Sequence, residues 1–468
     1  MQWPRSRKGY FAHAPQKNRC HPWIVLANAM PNSVSPPSHP TFREALRYWS
    51  RLGWISFGGP AGQIAIMHRE LVDQRRWISD RHFLEALNFC MLLPGPEAQQ
   101  LATYLGWRLH GWRGGVAAGA LFVLPSMVIL FALSWLFMAG GHLPLLAGIF
   151  YGLGAAVMAI VAEAVLRIGR KALHSPALWV VALLSFVAIY RYEVSFIFIL
   201  LAAALAGWVG HGVVPQQFPA GGGHSSSLPS ERAAVLVLPV APAATLRRTA
   251  GILVVCLSLW WLPILAIGVW LGWQSTAFQQ GIFFSKAAMV TFGGAYAVLP
   301  YVAQQAVEHY QWLSHAQMMS GLALAETTPG PLIMVLQFVG FAGGWQNPGS
   351  LTPLGAATLG ALVTTWATFL PCFLWVLLGA PHIGRMHERP ALNAALTAIT
   401  AAVVGVILNL AVSFGRHAIL PVPASGPDWF MLALTVGAFL AMHRFRFPLL
   451  PVMAGCALAG MAWQLALR

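Results

Sequence analysis

The chain has 468 residues, of which 57% are hydrophobic and only 9% charged. That balance excludes the soluble globular classes and reads as a polytopic membrane protein. The formal charge of +15 sits in short loops between apolar segments rather than on a folded basic face, which points to loop asymmetry across a bilayer and away from nucleic acid.

In chain order, residues 1–41 are polar, basic and proline-rich and are expected to form a disordered tail. The apolar run from Ile24 to Ala29 is too short for a signal-peptide core, and Met30 offers an alternative start. A first repeat is expected over 42–214. Its two broken elements lie near 42–66 and 83–107, and its helices near 114–138, 143–168, 177–191 and 194–214. A Gly/Ser/Pro-rich linker covers 215–248, and one extra transmembrane helix covers 249–272. A second repeat follows over 273–468, with elements near 276–305, 316–344, 353–381, 391–415, 427–443 and 447–467. Each longer segment suits the ~20 apolar residues that cross a bilayer core. The expected fold class is therefore an all-α polytopic membrane protein.

The two units align without a gap at an offset of 235 residues. Over 50–96, 11 of 47 positions are identical, among them Phe57-Gly58-Gly59 on Phe292-Gly293-Gly294, Trp77 on Trp312, Ser79 on Ser314, and Pro94-Gly95-Pro96 on Pro329-Gly330-Pro331. Six elements and one unpaired helix separate equivalent points, so the second unit is expected to enter the membrane from the opposite side. Inverted repeats of this kind place a substrate site at their interface near the midplane.

Loop charges support this with the N-terminus in the cytoplasm, apart from the loop 68–82. That loop carries Arg69, Arg75, Arg76 and Arg81 and would lie outside if both broken elements crossed. Re-entrant hairpins that turn back at FGG and PGP return it to the cytoplasm without changing any later crossing.

The breaks carry chemistry. Pro94 and Pro96 lack N–H donors, and Gly95 permits positive φ. Non-helical backbone at membrane depth is tolerated only where it is buried in protein or lines a wet cavity. After Pro96 the N–H groups of Glu97, Ala98 and Gln99 open a new helix, and after Pro331 those of Leu332, Ile333 and Met334 do the same. Helix starts of this kind attract anions. Arg51 and Lys286 each stand seven residues before the first glycine of an FGG pair, two helical turns away. The substrate-binding set expected is thus Arg51, Gly58, Gly59, Pro94, Gly95 and Pro96 with Lys286, Gly293, Gly294, Pro329, Gly330 and Pro331. Glu97 and Glu326 flank the breaks and are the candidates for proton coupling, whereas Glu163 reads as a helix-face ion pair with Arg167. No catalytic residue, metal site or cofactor is expected: the five cysteines are scattered singly, and neither GxxxxGK[ST] nor HExxH occurs.

The stretches "FGGPAGQIAIMHRELVDQRRWIS", "LLPGPEAQQLATYLGWRLHGWRGGVAAGALFVLPS", "TFGGAYAVLPYV", "TTPGP" and "ATFLPCFLWVLL" resemble the chromate ion transporter family in its long, two-domain form, over residues 42–380. The resemblance implies a bacterial inner-membrane carrier that exports chromate, driven by membrane potential or a proton gradient as in an antiporter, and confers chromate resistance. The implied partners are the oxyanion, the lipid bilayer and a second copy of the chain. Sulfate or another oxyanion is the alternative substrate, and an intramembrane lipid-phosphate enzyme is the alternative of another class. The units differ at Leu332, where the first has Glu97, and at Ala295, where the first has Pro60, so two equivalent sites are not expected.

Overall fold

The computed structural model describes residues 39–140, 143–218, 245–382, 390–420 and 426–466. The expected tail up to residue 38 and the expected linker from 219 to 244 fall outside these residues. The described residues are all-helical. The first half comprises α1 (Phe42–Ile55), α2 (Gly59–His68), α3 (Asp80–Leu92), α4 (Glu97–Gly140), α5 (Pro144–Ala172), α6 (Pro176–Tyr192) and α7 (Phe196–Val213). After α8 (Leu246–Leu271) come α9 (Thr276–Met289), α10 (Ala295–Gln304), α11 (His315–Thr327), α12 (Val335–Gln346), α13 (Pro353–Gly379), α14 (Pro390–Ile419), α15 (Trp429–His443) and α16 (Leu449–Ala466). Seven of them (α4, α5, α7, α8, α13, α14 and α16) are long and apolar enough to cross a membrane. The chain is a multi-pass membrane protein.

Local sequence sets the helix starts. Thr41 and Glu44 form a capping box at α1, Ser314 and Gln317 form another at α11, and Ser79 caps α3. Pro144, Pro176 and Pro353 occupy the first helical position, where the missing N–H costs nothing.

Each of the four broken elements is a hairpin of two short helices, not a kinked straight helix. The rings of Phe89 in α3 and Tyr104 in α4 lie 5.8 Å apart, whereas fifteen residues of straight helix would part them by about 22 Å. Tyr48 of α1 lies 5.7 Å from Trp77, beyond the end of α2, with the Arg75 guanidinium 5.2 Å above its ring. In the second half, Phe283 of α9 lies 5.4 Å from Tyr301 and 5.7 Å from Trp312. Gln346 of α12 donates to Gln317 of α11 at 3.0 Å. A further turn lies inside α4, where His110 and Gly111 leave helical geometry. Residues 97–109 and 112–140 then pack antiparallel so closely that a side chain at Gly106 would strike the Gly114 carbonyl oxygen and Ala118.

The repeat is visible in the backbone beyond its sequence identities. Both halves place a π-helical turn after the FGG helix, Arg69–Gln74 and Gln305–His309. Both put a non-glycine residue at positive φ before the conserved-spacing Trp: Arg76 at 54° and Gln311 at 52°. Trp77 and Trp312 donate through their backbone N–H to Leu71 O at 2.9 Å and Ala306 O at 2.8 Å.

The halves are interlocked. α6 and α7 pack on α14 of the second half, while α15 and α16 pack on α5 of the first. Small residues make this close approach possible: Gly207 abuts Ala394 and Ala398, and Gly460 abuts Gly148 and Gly152. The buried core nonetheless divides unevenly. The first half's hairpins, the start of α4 and the end of α13 form one apolar cluster, while the second half's hairpins join α5, α7 and α14 in a larger one.

Candidate functional site

The site is built where the breaks meet. Ser56 and Thr291, the residues just before each Phe-Gly-Gly, turn their hydroxyls back onto their own helices: Ser56 Oγ donates to Leu52 O at 2.6 Å and Thr291 Oγ1 to Ala287 O at 2.7 Å. Their backbone carbonyls are thereby left for partners across the repeat. The Gly95 N–H donates to Thr291 O at 2.7 Å, and the Gly330 N–H donates to Ser56 O at 2.8 Å. Each PGP therefore closes onto the other half's FGG turn, in a reciprocal pair of hydrogen bonds.

This contact explains the glycines. Gly95 has φ +131° and Gly330 φ +102°, a region that L side chains rarely adopt. A Cβ at Gly95 would lie 2.7 Å from both Cys372 Sγ and Gln100 Nε2, and one at Gly330 would lie 2.7 Å from Ser126 Cβ. Ser126 and Cys372 are themselves matched, each following a helix proline, Pro125 or Pro371, at an offset of 246 residues. The FGG glycines also hold positive φ, but for a different reason. A Cβ at Gly58 or Gly59 would meet no atom within 4 Å, and at Gly293 and Gly294 only Thr400 Oγ1 and the Glu97 carboxyl, each at 3.8 Å. Space is left beside the FGG turns, and contact is made beneath the PGP turns.

Polar groups converge on the same place. Gln63 Nε2 donates to Gly330 O at 2.6 Å and to Ser56 O at 3.3 Å, and Gln100 Nε2 donates to Pro94 O at 2.8 Å. These amides give partners to backbone carbonyls at the non-helical turns. The Ser126 hydroxyl and the Oε1 atoms of Gln63, Gln99 and Gln100 are buried without a hydrogen-bond partner among the described residues.

Of the residues expected from sequence, the structure brings Pro94, Gly95 and Pro96 together with Gly293 and Gly294, and Pro329, Gly330 and Pro331 together with the residues just before Gly58 and Gly59. Glu97, half-buried, opens α4 and faces Gly294. Glu326 is 7% exposed and accepts from the Tyr296 hydroxyl at 2.5 Å. Arg51 and Lys286 lie on exposed faces of α1 and α9 and touch neither break through a hydrogen bond or ion pair. Pro96 caps α4 from outside its first turn, and Pro331 precedes a 3₁₀ turn, Leu332–Met334, that leads into α12.

Sequence reasoning missed the cations of α5. Arg167 lies with its guanidinium 5.8 Å from the Tyr296 ring centroid and 3.9 Å from Glu163. Lys171 stands one turn on along the same helix. Through the Tyr296 ring, this face of α5 reaches Glu326 beside the second break. The spacing of Arg167 from Glu163 was legible in the sequence as a helix-face ion pair, but its approach to Tyr296 was not.

The sequence profile of the family described as chromate transporter matches residues 43–208 and 278–461, one stretch in each half. The chain is 32% identical over 425 residues to the chromate transport protein of Cupriavidus metallidurans, covering 90% of this chain and 93% of that one. It is likewise 32% identical over 439 residues to the chromate transport protein of Pseudomonas aeruginosa, covering 92% and 94%. An uncharacterized transporter of Bacillus subtilis is 29% identical over 150 residues, covering 32% of this chain and 75% of its own length. No solved structure matches. On the extent of these matches, the chain belongs to the chromate transporter family.

Proposed function

We propose that this protein is a secondary active transporter that exports chromate, a tetrahedral divalent oxyanion, across the inner membrane, driven by membrane potential or a proton gradient, and so confers chromate resistance. The observation that carries this reading is the reciprocal closure of the two breaks, Gly95 N–H on Thr291 O and Gly330 N–H on Ser56 O. It joins two helix starts at one point between the halves, the second opening through a 3₁₀ turn in which the Met334 N–H donates to Pro331 O at 3.0 Å. The space beside Gly293 and Gly294, with the Glu97 carboxyl at its edge and Arg167 against the ring of Tyr296 two residues on, gives an anion room and charge. The names of the two long relatives supply the substrate.

In this reading the two repeats are inverted. The bases of the first half's hairpins lie with the start of α1, as His110 Nε2 at the end of the second hairpin donates to Pro40 O at 2.9 Å. The bases of the second half's hairpins lie with the far end of α14, as His315 stacks on His417 at 3.7 Å. Positive-inside charge then puts Arg170, Lys171, Arg444 and Arg446 in the cytoplasm with the N-terminus. Arg51 and Lys286, exposed on their hairpins, act as steering charges rather than ligands.

Cells producing the protein should accumulate less chromate than cells lacking it, and should tolerate more. Equal accumulation at equal membrane abundance would rule out export. Sulfate in excess should slow chromate flux if the site reads shape and charge alone; unchanged flux would show selectivity beyond them.

A further inference from the structure

Resting on the transport reading above, we propose that Arg167 is an oxyanion ligand whose availability is set by the protonation of Glu326, so that a proton on the carboxyl frees one guanidinium for the anion. Four groups form a chain across three helices. Glu163 and Arg167 come from α5, with Arg167 Nη1 3.9 Å from Glu163 Oε2. Tyr296 comes from α10, two residues beyond Gly294, and its ring centroid lies 5.8 Å from the Arg167 guanidinium. Glu326 comes from α11, three residues before Pro329, and takes the Tyr296 hydroxyl hydrogen. These are the charged and titratable groups that face Glu326 from the elements packed around it.

Arg167 is the right kind of group in the right place. A guanidinium matches a tetrahedral oxyanion through two parallel N–H donors. Its side chain is 43% exposed, so it reaches open space while its neighbours Tyr296 and Glu326 are buried. It lies one turn from Lys171 along the same helix. The repeat equivalents on α14 are Ser413 and His417, so the second long helix carries no such pair of strong bases. With Glu326 ionised, the guanidinium stands between two carboxylates, Glu163 beside it and Glu326 across Tyr296. With Glu326 protonated, one of those negative charges is lost, and a dianion at the FGG turns gains the guanidinium. Tyr296 carries the message, because its hydroxyl bonds Glu326 on one side and its ring lies against Arg167 on the other.

The test is thermal unfolding of the purified full-length protein in sulfate or chromate, against chloride at equal ionic strength, from acidic to alkaline pH. Wild type should be stabilised by either dianion, and more strongly as pH falls. Arg167→Gln should weaken apparent affinity on the order of ten- to a hundredfold at every pH. Glu326→Gln should bind at the acidic-limit affinity throughout, with the pH dependence gone. Tyr296→Phe, which keeps the ring and its packing, should also flatten the pH dependence and serves if Arg167→Gln fails to fold. Wild-type binding in Arg167→Gln, a wild-type pH slope in both Glu326→Gln and Tyr296→Phe, or a wild type that neither dianion stabilises would overturn the proposal. Chromate flux into everted vesicles separates the two readings: flux that Arg167→Gln leaves unchanged keeps transport and removes Arg167, whereas absent wild-type flux removes transport itself.

Discussion

At Gly95 and Gly330 one backbone position performs two tasks. Positive φ aims the N–H at the other half's FGG turn, and the missing side chain lets Cys372 or Ser126 fill the space beneath. Gly95→Ala and Gly330→Ala should each cost about 1–3 kcal/mol from strained backbone and overpacking, and should abolish transport because they part the two breaks. Gly58→Ala meets no neighbour and should cost only the strain, about 1 kcal/mol, with the protein still inserted and folded. Unfolding midpoints of the three variants, read beside their chromate flux, check this ordering. These glycines were legible in the sequence because duplication printed them twice. The pairing of Arg167 with Tyr296 was not, since their meeting depends on how α5 lies against α10, and a linear pattern holds no trace of that packing.

The hairpin is the element that gives the molecule its site. A proline-glycine break in a straight helix frees carbonyls to lipid, whereas a hairpin folds them inward onto the opposite half. The sequence carried this in one place, the arginine loop at 68–82, whose charge made sense only if both flanking elements turned back. The turn at Gly111 was legible as a gap between segments, and the tight packing of Gly106 on Gly114 was not. Gly106→Leu should force the two legs of α4 apart and lower the yield of folded protein, measured by size-exclusion recovery relative to wild type. Single cysteines test orientation, and the four described native cysteines are buried, which keeps background labelling low. Arg81→Cys and Ala316→Cys occupy repeat-equivalent, exposed positions. An impermeant thiol reagent should reach the first from the cytoplasmic face and the second from the opposite face. Labelling of both from one face would contradict the inversion.

At the scale of the whole molecule, the halves cannot move as two free blocks. Each lends its last two helices to the long helix of the other, through α7 on α14 and α16 on α5. The division that packing does permit runs elsewhere, between the first half's hairpins with the start of α4 and the larger core that holds the second half's hairpins. The breaks lie on that boundary, joined by the reciprocal hydrogen bonds and by Gln63. Alternating exposure of the site then needs only this boundary to open and close, with the interlocked helices as the fixed frame. The number and order of helices could be read from hydropathy, and their exchange between halves could not, because helix partners are chosen by small-residue surfaces that hydropathy does not resolve.

The most direct test of an oxyanion carrier built at the crossed breaks is chromate uptake into everted membrane vesicles, with the membrane potential and the pH gradient collapsed separately. Wild type should show uptake that depends on at least one of the two gradients, Gly95→Ala and Gly330→Ala should show none at equal membrane abundance, and Lys286→Ala should show reduced initial rates with the gradient dependence retained. Uptake in wild type no greater than in vesicles without the protein, or uptake that survives in both glycine variants, would contradict the account.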